Sequence, residues 1–208
     1  MGERPVTRAE KARRTRRRML DAAGRLFVEQ GWVGTTVEGI ARAAEVATQT
    51  VYFTFGSKRA LLKELLDLAV AGDAEPVTTL DRPWAREVVA EPDPARQLAR
   101  QAAGARAVLE RAAPVLEVVR SAAAADPELA ALWRTNQEQR HAAQLHFARA
   151  LTGKAGELRA GFDAEAAADV ALAVLGPESW GLLVDGRGWS PERWERWAAD
   201  ALVRQLLR

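Results

Sequence analysis

Apolar residues recur at three- and four-residue spacing along most of the chain, and strand-like alternation is nearly absent. Met19, Ala22, Ala23, Leu26 and Phe27 predict a first helix over residues 9–30, closed by Gly31. Thr35 and Glu38 stand three apart, just ahead of Ile40, Ala43 and Ala44. That is capping-box spacing, and it opens a short second helix over 36–44. After the turn Glu45-Val46-Ala47, a third short helix covers 48–54. Gly56 ends it, and Ser57 caps a fourth helix from Lys58 to about Ala71, faced by Leu61, Leu62, Leu65, Leu66 and Leu68. Residues 72–92 are rich in Pro, Gly, Asp and Thr and read as a linker or a surface excursion. Beyond them, Asp93-Pro94, Asp126-Pro127 and Ser190-Pro191 repeat one start signal, a capping residue followed by Pro at the first helical position. Asp163 caps another helix without the Pro. The expected helices are 94–112, 114–125, 127–152, 163–184 and 191–207, with Pro114 breaking or kinking the chain between the first two.

Charge changes this picture more than composition does. Residues 1–18 hold eight Lys/Arg against two acids, a net +6, which leaves −4 over the remainder. A basic arm on a mildly acidic body points to a polyanion, nucleic acid or an anionic membrane, although a solubilising tail has the same composition. Asp21, Arg25 and Glu29 interrupt the stretch that follows, so it does not read as a signal peptide. No run is read as approaching the ~18 apolar residues of a membrane span. With no cysteine, a disulfide framework and thiolate metal sites are excluded, and the expected compartment is the cytoplasm. The excess of Arg over Lys, with abundant Ala, suggests a high-GC bacterial source. An enzyme has little to work with. His141 and His146 lie about 140° apart on a helix, and no nucleophile elbow, phosphate-binding Gly loop or metal cluster is present. No cofactor or metal is expected.

Two short helices joined by a tight turn can set the second into a major groove. Small apolar residues, Ile40, Ala41 and Ala44, clamp the first of the pair, and Val46 buries the turn. The second would present Thr48, Gln49, Thr50, Phe53 and Thr54. Gln pairs bidentately with adenine, and Thr or Phe packs on a thymine methyl. Thr35, Thr36, Tyr52 and Lys58 are phosphate candidates, and Arg16, Arg17 and Arg18 add charge.

The stretch GWVGTTVEGIARAAEVATQTVYFTFGSKRALLKELL also resembles the N-terminal domain of tetracycline-repressor-like (TetR) regulators over about residues 15–66. Thr35, Thr36, Val37, Ile40, Ala41, Ala44, Val46, Thr50, Val51, Tyr52, Phe55, Ser57, Lys58, Leu61 and Leu62 fall at matching places without a gap. Three residues depart from the pattern. Glu45 replaces a turn Gly, Ala47 replaces a Ser (moving the helix cap to Thr48), and Phe53 stands where His or Tyr is common. The resemblance implies an all-α protein: a basic flexible arm (1–14), a three-helix helix-turn-helix DNA-binding domain (15–70), and a helical ligand-sensing and dimerisation domain (71–208). It further implies a homodimer on a pseudo-palindromic double-stranded DNA operator, released by a small-molecule effector, with no membrane partner.

In the C-terminal part, helix 163–184 carries Val170 and Val174, and helix 191–207 carries Trp194, Trp197 and Ala201. These stripes face either a second copy or the protein's own core, and the resemblance favours the dimer. On helix 127–152 the polar residues Asn136 and Arg140 interrupt the stripe containing Trp133. They line a ligand pocket or close an internal hydrogen bond or salt bridge. Arg120 carries the same ambiguity, and Trp180 faces a pocket or the interface. Arg140 would suit an anionic ligand.

Overall fold

The computed structural model describes residues 7–208 except 74, 76 and 155–157. Among the described residues there is no strand, and the helices run in order α1 (Arg8–Gly34), α2 (Val37–Ala43), α3 (Thr48–Phe55), α4 (Lys58–Ala71), α5 (Pro83–Ala90), α6 (Pro94–Ala122), α7 (Pro127–Thr152), α8 (Ala164–Val174), α9 (Pro177–Trp180) and α10 (Pro191–Leu206). A π turn, Gly181–Asp185, extends α9.

The start signals hold in their detail. Asp93, Asp126, Asp163, Ser190 and Ser57 each accept from a backbone amide in the first turn of the helix they open. Each bond satisfies one of the amides that a helix start leaves without a partner. Gly31 does break α1, at φ 69° and ψ −178°. The cap of α2 shifts by one residue. Thr36, not Thr35, accepts from the Gly39 amide at 3.0 Å.

Four expectations need correction. The basic segment from Arg8 onward is helical, begun by a capping box between Thr7 and Glu10, so residues 8–14 are not an arm; residues 1–6 lie outside the described residues. The supposed linker contains α5, whose Ala85 and Val88 are buried with Phe147 of α7. Pro114 does not split 94–125, and α6 continues through it. A Pro inside a helix costs about 3 kcal/mol in isolation. α6 can carry that cost because it is the central helix, packed on α1, α4, α5, α7, α9 and α10. Finally, 163–184 is not one helix. Pro177 ends α8 and starts α9, and the Ser179 hydroxyl lies 2.7 Å from the Val174 carbonyl and 3.1 Å from that of Gly176.

The stretch Ala164–Asp185 is long and apolar enough to cross a membrane by length and composition, with a mean hydropathy of 1.3, which the sequence reading did not allow for. It is broken at Gly176-Pro177, and it packs Ala167, Ala168, Ala171 and Trp180 into the core. That core is continuous from Met19 of α1 to Leu206 of α10. The helix-turn-helix unit and the C-terminal helices are therefore joined through buried side chains of α1, α4 and α6.

Candidate nucleic-acid interface

The site is built on α2 and α3, and most of its sequence goes into holding them. Ile40 and Ala41 of α2 and Val51 and Phe55 of α3 are buried with Phe27, Leu61 and Leu62. The turn is closed by Glu45 N–H to the Arg42 carbonyl at 3.2 Å and Val46 N–H to the Ala41 carbonyl at 2.9 Å. Closing it takes left-handed backbone at Glu45, φ 54°. That is the conformation for which a Gly is suited and for which an L side chain is strained. The Glu45 carboxylate, largely in solvent, lies 3.6 Å from Arg18. α3 begins at Ala47 with no side-chain cap, so Thr48 does not take over that role.

α3 presents Gln49, Tyr52 and Phe53 to solvent. Phe53 is 92% exposed and Tyr52 47%, on a helix whose opposite face is buried. Thr48 and Thr50 are half-buried, and the Thr54 hydroxyl donates back to the Thr50 carbonyl at 2.7 Å.

Other candidates are already engaged. Thr35 is buried, and its hydroxyl lies 2.9 Å from the Leu26 carbonyl and 2.8 Å from that of Gly31, tying the end of α1 together. Arg16 donates to Glu64 of α4 at 2.8 Å and to the Thr54 carbonyl at 3.3 Å, and stacks 4.7 Å over the Phe55 ring. It is a clasp between α1, α3 and α4. Lys58 donates to the Trp32 carbonyl and sits 4.0 Å over the Trp32 ring, which itself stacks on Phe27. Burial pushes the Lys58 ammonium below its ordinary value. Arg17 is exposed, its guanidinium 3.9 Å from the also exposed Asp21 carboxylate. Thr36 is exposed as the α2 cap.

In the C-terminal part, Arg120 and Trp133 line a cavity of about 480 Å³ between α6, α7 and the α9–π segment. Asn136 and Arg140 form the internal network instead. Arg140 donates to Asn136 at 3.1 Å and to Glu178 at 3.3 and 3.4 Å. Its guanidinium is thus committed, which removes the reason for an anionic ligand there. Trp180 is buried edge-on against Trp194, centroids 5.1 Å apart. Trp194 is fully buried and donates to Ser179 at 3.2 Å, so it belongs to the chain's own core rather than to a surface. Val170, Val174, Trp197 and Ala201 remain half-buried. The sequence reading missed the carboxylates of the cavity, Glu117, Glu178 and Asp185. It also missed the ion pair of Arg59 with Asp126. Charged residues on exposed helix faces carry no periodic signal that singles them out.

An all-helical protein with a clamped two-helix unit, one face of its second helix bare, is of the helix-turn-helix class. Residues 19–65 match the family model described as bacterial regulatory proteins, tetR family. Over 85 residues, 39% of this chain, it is 36% identical to TtgW of Pseudomonas putida, an uncharacterized HTH-type transcriptional regulator. The match spans 63% of that relative's length. Among solved structures, it is similar to native NalD, the secondary repressor of the MexAB-OprM multidrug efflux pump in Pseudomonas aeruginosa. The TM-score is 0.71 at 23% identity, covering 96% of this chain and 98% of that one. The TetR-family transcriptional regulator PfmR from Thermus thermophilus gives a TM-score of 0.64 at 25% identity, covering 92% of this chain and 100% of that one. The likeness to the tetR family of bacterial regulatory proteins thus lies in residues 19–65.

Proposed function

We propose that the protein is a transcriptional repressor that binds a pseudo-palindromic operator as a homodimer and is released by a small-molecule effector. The observation that carries this reading is the bare face of α3. An almost fully exposed Phe53 beside Gln49 and Tyr52, on a helix held rigidly from behind, is costly to leave in water and suits a groove. In this reading Gln49 and Phe53, with Thr48 and Thr50, meet base edges. Tyr52, Thr36 and Arg17 meet phosphates, and Arg16, Thr35 and Lys58 position the unit. A second copy docks on α8 and α10 through Val170, Val174, Trp197 and Ala201, putting two α3 helices on one face of the duplex. Domain limits at residues 15–70 and 71–208 follow from the same reading. The NalD name supports repression as the mode, since that relative is described as a repressor. Effector binding acts by population shift: a ligand that prefers one arrangement of the C-terminal helices changes the distance between the two α3 helices. The reaction-free character of the site, the cytoplasm as compartment and the absence of a membrane partner belong to the same proposal. Selection from random duplex oligonucleotides tests it. The selected sites should be inverted repeats, and selection without any sequence preference overturns it.

A further inference from the structure

We infer that the cavity between α6, α7 and the π turn takes an organic cation with an apolar body. The inference rests on the reading of the C-terminal helices as a sensor and adds the chemical class of what is sensed. The cavity, about 480 Å³, is of a size that holds a small organic molecule. Leu116, Trp133 and Leu182 give it apolar walls.

Its charges do not balance. Glu117, Glu178 and Asp185 line it, against Arg120 alone. Two of the carboxylates are matched. Arg120 binds Glu117 through two bonds of 2.7 Å, and Arg140 reaches Glu178 from α7. Asp185 has no cationic partner among the described residues. Burial pushes its carboxyl up, and the neighbouring Glu117 charge adds to that, so the cavity already resists the negative charge it carries. A bound cation relieves this, whereas a bound anion would meet the unmatched Asp185 carboxylate.

The backbone places Asp185 for this role. The Gly186 amide bonds the Gly181 carbonyl at 2.9 Å, closing the wide turn. A Cβ on Gly186 would stand 2.9 Å from the Leu182 carbonyl oxygen, so a larger residue there would have to shift the turn. Asp185 Oδ2 lies 3.9 Å from where a Cβ on Gly181 would be, and Gly181 is itself a wall of the cavity. π turns recur at functional sites. The Trp133 ring already faces one cation, the Arg140 guanidinium at 5.4 Å, and such a face attracts a ligand cation in the same way.

The test uses the full-length protein, free of DNA, and three probes of similar shape: phenyltrimethylammonium, neutral tert-butylbenzene and benzenesulfonate. Calorimetric titration at low ionic strength should show the cation bound most tightly. Asp185→Asn should weaken it by about tenfold or more, leave tert-butylbenzene unchanged and keep the wild-type melting temperature. Asp185→Glu should retain most of the affinity. The proposal is overturned if the cation does not bind, if Asp185→Asn binds it as well as wild type, or if either other probe binds as tightly. DNA retardation with and without the cation separates the two readings. A cation that binds and leaves retardation unchanged refutes the sensor role and leaves the site standing. DNA binding without cation binding refutes the site alone.

Discussion

The Arg59 guanidinium, one residue into α4, donates at 2.8 Å to Oδ2 of Asp126, the N-cap of α7. Asp126 is buried, and the same side chain accepts from the Glu128 and Leu129 amides. Burial works to raise its carboxyl, but the bond from Arg59, the Leu129 amide and the Arg59 charge outweigh it and hold the group below the ordinary carboxylate value. One carboxylate thus starts a C-terminal helix and fastens the helix that leads out of the DNA-facing unit. Asp126→Asn should lower the melting temperature by about 2–4 °C, and Arg59→Met by less. The double variant should lose less than the two losses added, because the residues share one interaction. Thermal melts of the four proteins check it.

The sign of the pH dependence follows from the same group. The folded chain holds the Asp126 proton less tightly than the unfolded chain does, so the contribution is complete above the ordinary carboxylate range and is lost as pH falls through the lowered value. Asp73 behaves likewise. Its pair with Arg82 holds it at about 2, against an ordinary 3.8. Stability in denaturant should therefore fall below about pH 4 and continue falling towards pH 2. The Asp126→Asn protein should show a shallower fall.

Lys58 and Arg17 are both cations close to the helix-turn-helix unit, but Lys58 is engaged by Trp32 while Arg17 is exposed, with only an exposed pair to Asp21. Replacing Arg17 with Ala should make the slope of log affinity against log salt shallower by about one charge. Lys58→Met should leave that slope in place and lower the melting temperature, because it removes a bond to the Trp32 carbonyl and a contact with its ring. Salt-dependent retardation assays on both variants separate the roles.

Two local defects in the helix-turn-helix can be repaired. Glu45→Gly relieves an L residue of left-handed backbone and should stabilise the fold by roughly 0.5–1 kcal/mol. Ala47→Ser supplies α3 with the cap it lacks and should add about 1 kcal/mol. The sites are two residues apart, so strict additivity in a denaturant titration is not expected. Both variants should bind DNA at least as tightly as the parent chain.

Much of this was legible in the sequence because it is local. Capping residues with their Pro partners placed the starts of α6, α7 and α10, and the three-four spacing placed α1 and α4. What escaped depends on packing. Pro114 reads as a break because the pattern cannot see six helices holding α6 together. α5 hides in a Pro- and Asp-rich stretch because its buried face is only Ala85 and Val88. Thr35, Arg16 and Lys58 have the chemistry of phosphate ligands, and the sequence has no way to show that a carbonyl, a carboxylate or an indole claims them first. Trp194 has the size and position of an interface residue, yet the chain's own core closes over it. Gln49 and Phe53 were read correctly as exposed because Val51 and Phe55 fix the other face, whereas Thr48, Thr50 and Thr54, read as exposed with them, are half-buried.

In the proposed function α3 reads DNA from a symmetric pair of copies. The most direct measurement is retardation of a selected duplex against one carrying a single half-site, for the parent chain and for Gln49→Ala and Phe53→Ala. A two-copy complex is expected on an inverted repeat whose half-site centres lie about one helical turn, or a multiple of it, apart. Binding to the single half-site should be much weaker, and both variants should show relaxed base preference with little change in salt dependence. Equal affinity for any duplex, or variants that keep the parent's base preference, would contradict the proposed function.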